Sequence, residues 1–203
     1  MAEPNFLQKT APCVGWKSRL GRGAACACLT AALLSCGSGV CLAAEEPPLL
    51  SAQSAVLMCA DTGEFLFEQN ADEAMLIAST TKLMTALVVL DNCDPSEQVE
   101  IQPEDAAVEG SSMYLAPGEV YTVEELLYGL MLASGNDAAL ALARHVGGSV
   151  EGFAALMNDQ AQQLGLQNSS FRNPHGLDEE GHYSCARDLA VIMRAVMEDE
   201  LFQ

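Results

Sequence analysis

Basic side chains are scarce in this chain. Nine lysines and arginines stand against 28 aspartates and glutamates, for a net charge of −19. Nucleic acid is held through cationic patches, so that class of partner is excluded. The shortage is also uneven. Lys9, Lys17, Arg19 and Arg22 share the first 43 residues with a single acid, Glu3, and only Lys82, Arg144, Arg172, Arg187 and Arg194 follow. Repeats and low-complexity tracts are absent. So is any zinc-type spacing of cysteine. Cys13, Cys26, Cys28, Cys36 and Cys41 have no histidine or carboxylate among them, so they read as leader composition rather than a metal cluster. Cys59, Cys93 and Cys185 remain. They read as small buried hydrophobes, with one disulfide as the alternative.

The front of the chain has a targeting layout. Its basic residues precede residues 24–44, "AACACLTAALLSCGSGVCLAA", which are uncharged and small or apolar, and "EEPP" follows. That order is a basic n-region, an apolar h-region and a small-residue cleavage site. We expect residues 1–43 to be a signal peptide cleaved after Ala43, and the rest to be exported. The alternatives are a retained membrane anchor, weakened by its Gly, Ser and Cys content, and a lipid on Cys36 in "LLSC".

Half of the residues are hydrophobic and 18% are charged, the balance of a globular chain with one core. Residues 44–52 read as a linker. A hairpin is expected next, with Val56, Leu57 and Met58 on one strand, Asp61-Thr62-Gly63 turning, and Phe65 and Phe67 on the other. From Ser79 the pattern is helical and apolar through residue 91, which predicts a helix buried on most sides. Residues 94–121 read as irregular, broken by Pro95, Pro103, Pro117 and Gly118. Three helices follow: one opened by Thr122 and Glu125 in capping-box spacing, one over "NDAALALARHVGG" stopped at Gly147, and one capped by Ser149 and closed by Gly165. A loop over "LQNSSFRNPHGLDEEGHY" leads to a last helix with Ser184 as its expected N-cap.

Ser79 and Lys82, in "ASTTK", are the first chemical candidates. A serine hydroxyl needs a base to become a nucleophile. At i and i+3 of a helix the two side chains share a face. The positive helix start and apolar neighbours disfavour an ammonium at Lys82, so a neutral amine is available as base. A lysine that stays charged would instead stabilise the transition state. Ser-x-x-Lys arises by chance about once in a chain of this size, and the plain alternative is Ser79 as an N-cap with Lys82 in water. Two facts favour chemistry. Lys82 is the only lysine after Lys17, and Leu76, Ile77, Leu83 and Met84 surround it in sequence. The second element is Ser134-Gly135-Asn136, between two apolar helices. It serves either as a helix stop and restart or as a proton-relaying hydroxyl beside a substrate-holding amide.

Ser-x-x-Lys followed by Ser-x-Asn is the pairing of penicillin-binding proteins and class A β-lactamases. "IASTTKLMTAL", "EGSSMYLAPGE", "LLYGLMLASGNDAALALARHVGGSVEGFAALMN" and "LGLQNSSFRNPHGLDEEGHYSCARDLA" resemble successive blocks of the serine-type D-alanyl-D-alanine carboxypeptidases, over about residues 50–200. The resemblance implies an α+β, β-lactamase/transpeptidase-like fold for residues 44–203. It also implies Ser79 as acylated nucleophile, Lys82 as base, Ser134 as the second hydroxyl and Asn136 as substrate-binding amide. Its substrates would be peptidoglycan stem peptides, with β-lactams trapping the same serine. It implies no metal or organic cofactor, and it leaves room for membrane association. His175 then reads as a structural loop residue, since the family builds its site without it. His145 lies near a helix C-terminus and His182 on a loop, neither beside a nucleophile. Glu179 and Glu180 read as a solvated face.

The family's third element, Lys-Thr-Gly on a later strand, has no counterpart in these 203 residues. That strand supplies one oxyanion donor, and such a donor is worth on the order of 10²–10³ in rate. The expectation is an N-terminal fragment without the C-terminal sheet strands, its hairpin edge and apolar helix faces left unpaired. Two alternatives stand beside the carboxypeptidase. One is a β-lactamase, although the Glu-x-x-Leu-Asn stretch of class A enzymes is missing. The other is a non-catalytic peptidoglycan-binding homologue.

Overall fold

The computed structural model describes residues 50–203. The expected signal peptide with its cleavage site, the Cys36 alternative and most of the expected linker lie outside the described residues. Strands β1 (Ala55–Met58) and β2 (Phe65–Gln69) form the expected antiparallel hairpin, pairing Ala55 with Gln69 and Leu57 with Phe67. Gly63 turns the chain at φ 74°, a conformation glycine adopts without a Cβ clash. A two-stranded hairpin is marginal alone, and this one rests on helix α6 (Ala186–Val196). Arg187 of α6 fastens it. Its guanidinium donates to Glu68 and Asp72 and lies 4.6 Å above the Phe65 ring.

Helix α1 (Lys82–Asn92) is the hub. Met84 to Val89 are all buried, as an all-apolar helix requires. Helices α3 (Val123–Leu132), α4 (Asn136–Gly147), α5 (Val150–Gln163) and α6 pack around it. Alanines 138, 139, 141 and 143 are fully buried on α4. Such small side chains let helix backbones approach closely. Thr122 and Glu125 form the expected capping box of α3, and Ser149 caps α5 by accepting from the Gly152 N–H. Gly165 follows α5 at φ 71°.

Three local expectations need correction. Residues 94–121 are not wholly irregular. Strands β3 (Gln98–Glu100) and β4 (Val120–Thr122) pair antiparallel, and a short helix α2 (Pro103–Ala106) lies between them. The prolines sit outside the pairs, with Pro103 opening α2, where its missing N–H is tolerated. Asp105 of α2 is buried and takes a two-pronged bond from Arg144, at 3.0 and 2.7 Å, which moors this segment to α4. Second, Ser184 is not the cap of α6. Its backbone bridges to Met75 and its hydroxyl to Ser169, so Cys185 takes the cap position, with Sγ accepting from the Asp188 N–H. Third, α4 runs through Gly147 and is ended by Gly148 at φ 72°. Cys59, Cys93 and Cys185 are free thiols, of which only Cys185 is fully buried.

Among the described residues the hairpin's outer edges pair with nothing further. Leu57, Leu66 and Leu132 are 57%, 59% and 82% exposed, which agrees with the expected unpaired apolar surface. No described helix is long and apolar enough to cross a membrane.

Gly147 tests the α4–α5 corner. A Cβ there would stand 2.6 Å from the Phe153 Cα, against backbone that cannot swing aside. Gly147→Ala should therefore lower stability by about 2 kcal/mol, a fall in Tm of roughly 4–8 °C in a thermal melt.

Candidate active site

A single 3₁₀ turn, Ala78–Thr81, runs directly into α1. Side chains at i and i+3 eclipse in a 3₁₀ turn, and this places Ser79 Oγ 3.3 Å from Lys82 Nζ. No side chain caps either helical segment, so Ser79 is not an N-cap. Lys82 is not solvated either. It is 2% exposed, whereas Ser79 lies open to solvent. The plain alternative for this motif fails on both counts. Ala78 enters the turn at φ 45°, a left-handed conformation that strains a residue with a Cβ. The Ala78 carbonyl rests on Gly176, at φ 89°, where any Cβ would collide with it.

Lys82 Nζ has two further partners, Asn136 Oδ1 at 2.7 Å and the His175 carbonyl at 3.0 Å. Asn136 is the first residue of α4, so the Lys82–Asn136 bond joins the starts of the two central helices. The amide's other end donates to the Glu109 carbonyl at 2.8 Å, which fixes its orientation. Burial pulls the Lys82 pKa down to about 8, and the Asp137 carboxylate partly opposes this. A neutral amine has two N–H groups and one lone pair. With Asn136 Oδ1 and the His175 carbonyl taking the two donors, the lone pair faces the Ser79 hydroxyl. This is the arrangement a base needs.

The loop from Asn173 to His182 forms the opposite wall. Thr85 donates to the Pro174 carbonyl at 2.7 Å, and Asn173 Oδ1 accepts from the Gly176 N–H at 2.8 Å. His182 bonds to Thr81 Oγ1 at 2.8 Å through Nε2, while its Nδ1 accepts from the Arg172 N–H. The neutral ring must then carry its proton on Nε2 and donate to Thr81. Burial lowers the pKa of His182, and burial together with Lys82 lowers that of His175 to about 4. Both rings stay uncharged at neutral pH.

Of the four predicted site residues, Ser79, Lys82 and Asn136 form one connected cluster. Ser134 lies two residues before Asn136 at φ 53°, and it is not among the hydrogen-bond partners of Lys82. Three contributors were not anticipated. His175 acts through its carbonyl rather than its ring. His182, expected to stand away from the nucleophile, is bonded to Thr81 inside the motif. Asp137 is buried, and its carboxylate gathers the Ser112 hydroxyl and the N–H groups of Met113, Leu115 and Ala138. Burial raises its pKa, but those four donors outweigh burial and hold it below the usual carboxylate value. The loop over residues 109–115 is thereby folded onto Asn136. "SGND" held the only signal, an acid directly after the Ser-x-Asn motif.

The family model described as D-alanyl-D-alanine carboxypeptidase matches residues 42–203. The chain belongs to the D-alanyl-D-alanine carboxypeptidase family. A curated relative, the D-alanyl-D-alanine carboxypeptidase DacF of Bacillus subtilis (strain 168), is 44% identical over 154 residues, covering 73% of this chain and 40% of its own length. The chain thus spans about two-fifths of that relative. Among solved structures, the D-alanyl-D-alanine carboxypeptidase DacD of Francisella tularensis superposes with a TM-score of 0.73 at 34% identity, over 76% of this chain and 38% of that one. Penicillin binding protein 5 of Haemophilus influenzae gives 0.72 at 36%, over 76% and 47%. The α+β carboxypeptidase fold is therefore present here in part, including the helical block that carries Ser79, Lys82 and Asn136.

Only three lysines exist in the chain, Lys9, Lys17 and Lys82. Nitrogen-15 NMR of the lysine side chains should show one that titrates near 8 and is absent in Lys82→Met. No titration near 8 would refute the depressed amine.

Proposed function

We propose that this protein is a serine D,D-carboxypeptidase that removes the terminal D-Ala from peptidoglycan stem peptides, acting outside the cytoplasmic membrane. The observation that carries the proposal is the buried Lys82 amine, held by Asn136 and the His175 carbonyl with its free valence toward the exposed Ser79 hydroxyl. Ser79 Oγ attacks the carbonyl of the penultimate D-Ala while its proton passes to Lys82. The C–N bond breaks, the leaving D-Ala takes up a proton relayed through Ser134, and water then hydrolyses the Ser79 ester. Asn136 orients Lys82 and holds the substrate peptide. A β-lactam carbonyl enters the same sequence and remains on Ser79. Family membership supports the substrate class, and the basic-then-apolar layout of residues 1–43 supports export.

A fluorescent penicillin tests this directly. A C-terminally extended chain that adds the Lys-Thr-Gly strand should acquire a covalent label that peptide mass spectrometry places on Ser79, its Ser79→Ala variant should acquire none, and residues 1–203 alone should label far more slowly for want of an oxyanion donor. Label that survives in Ser79→Ala sinks the assignment, and rapid release of the drug would mark a β-lactamase instead. The pH dependence has a definite sign. With a Lys82 pKa of about 8, roughly a tenth of the amine is neutral at pH 7, so acylation should rise about tenfold to a plateau above pH 9. A rate that falls as pH rises through 8 would mean that the ammonium is the active form.

A further inference from the structure

We propose that Cys93, Glu97 and His145 form a binding site for a zinc-class divalent cation at the end of the helical block remote from Ser79. The three come from different elements. Cys93 is the residue that ends α1, Glu97 lies in the turn before β3, and His145 is in the last turn of α4. One ligand atom from each lies within 4.8 Å of the other two. His145 Nε2 and Glu97 Oε2 are already 3.1 Å apart.

Tetrahedral zinc with sulfur at about 2.3 Å and nitrogen or oxygen at about 2.0–2.2 Å sets ligand separations of roughly 3.4–3.6 Å. The widest pair has to close by up to about 1 Å to meet them, while the His145–Glu97 pair, already at 3.1 Å, opens slightly. The donor set is one sulfur, one imidazole nitrogen and one carboxylate oxygen. That set suits zinc, cobalt or copper rather than calcium or magnesium, which favour all-oxygen sites. Three protein ligands on a partly open surface leave a fourth position for water.

The surroundings favour a cation independently of the ligands. Helices α1 and α4 both end at this point, and each presents the negative end of its dipole. Arg144, next to His145 in sequence, is engaged with Asp105 and the Glu100 carbonyl. Glu97 is held in place by its other oxygen, which accepts from the Asp94 N–H at 2.8 Å. Binding would form a metal–sulfur bond and release the Cys93 S–H proton to solvent. Burial and the nearby Glu97 raise the thiol's pKa, so the proton leaves only in exchange for the metal. The consequence is mechanical. Lys82 and Asn136 already join the starts of α1 and α4, and a metal at Cys93 and His145 would join their ends.

The test uses the full chain with Cys13, Cys26, Cys28, Cys36 and Cys41 changed to serine and the thiols kept reduced. Titration with Co²⁺ should saturate at one equivalent and produce thiolate-to-cobalt charge-transfer absorption in the near ultraviolet. Zn²⁺ should displace the cobalt and raise Tm. Cys93→Ser should abolish the absorption. His145→Gln and Glu97→Gln should each weaken binding by at least about tenfold. The proposal fails if this five-serine parent shows no thiolate absorption, or if its Cys93→Ser variant binds cobalt as tightly as the parent. Either result would leave His145 and Glu97 as an ordinary surface hydrogen-bonded pair.

Discussion

A buried lysine amine organises this structure. An ammonium withdrawn from water needs partners on every side, or it gives up its proton. Lys82 has three partners, and each belongs to a different part of the chain: Ser79 on the turn before α1, Asn136 at the start of α4, and the His175 carbonyl on the loop after α5. None of these segments could shift without leaving a buried polar group unsatisfied. Among the described residues no buried side-chain nitrogen or oxygen lacks a hydrogen-bond partner.

The rest of the architecture serves to hold those partners. Asp137 folds the 109–115 loop, and that loop supplies the Glu109 carbonyl that aims the Asn136 amide. Gly176 supports the strained Ala78 entry, because only a residue without Cβ fits beneath that carbonyl. Thr85 fastens the loop to α1 through the Pro174 carbonyl, His182 fastens it to Thr81 at the end of the preceding turn, and Asn173 braces the loop internally. Burial depresses Lys82 and both loop histidines alike; the histidines are left neutral at pH 7, while Lys82 is still mostly protonated near the Asp137 carboxylate. That carboxylate pulls Lys82 back toward protonation, which tempers the depression to about 8 rather than eliminating the ammonium.

Much of this was legible in the residues. The hairpin, the all-round burial of α1, the capping box at Thr122 and the Ser149 cap follow from periodicity and local hydrogen-bonding chemistry, which act within a few residues. Errors arose where a distant partner outcompeted a local preference. Ser184 has the chemistry of a cap, but Met75 and Ser169 claim it. Residues 94–121 look broken by proline, yet two three-residue strands pair across them. Cys93 and Glu97 lack any metal spacing in sequence because the third member of their cluster, His145, is 48 residues beyond Glu97 and arrives only on the last turn of α4.

By itself the sequence determined the chemical types and their local spacing. A serine three residues before the only lysine after Lys17, and a later Ser-Gly-Asn between apolar helices, are enough to single out Ser79, Lys82 and Asn136 as candidates. What only the tertiary structure decided is the state of the lysine. Whether Lys82 is a solvated ammonium or an amine near neutrality depends on burial and on contacts 54 and 93 residues away in the chain. Those contacts exist because two helix starts and a loop meet at one point. No local pattern encodes that meeting, since the free energy that drives it comes from the burial of apolar surface along the entire length of α1 and α4.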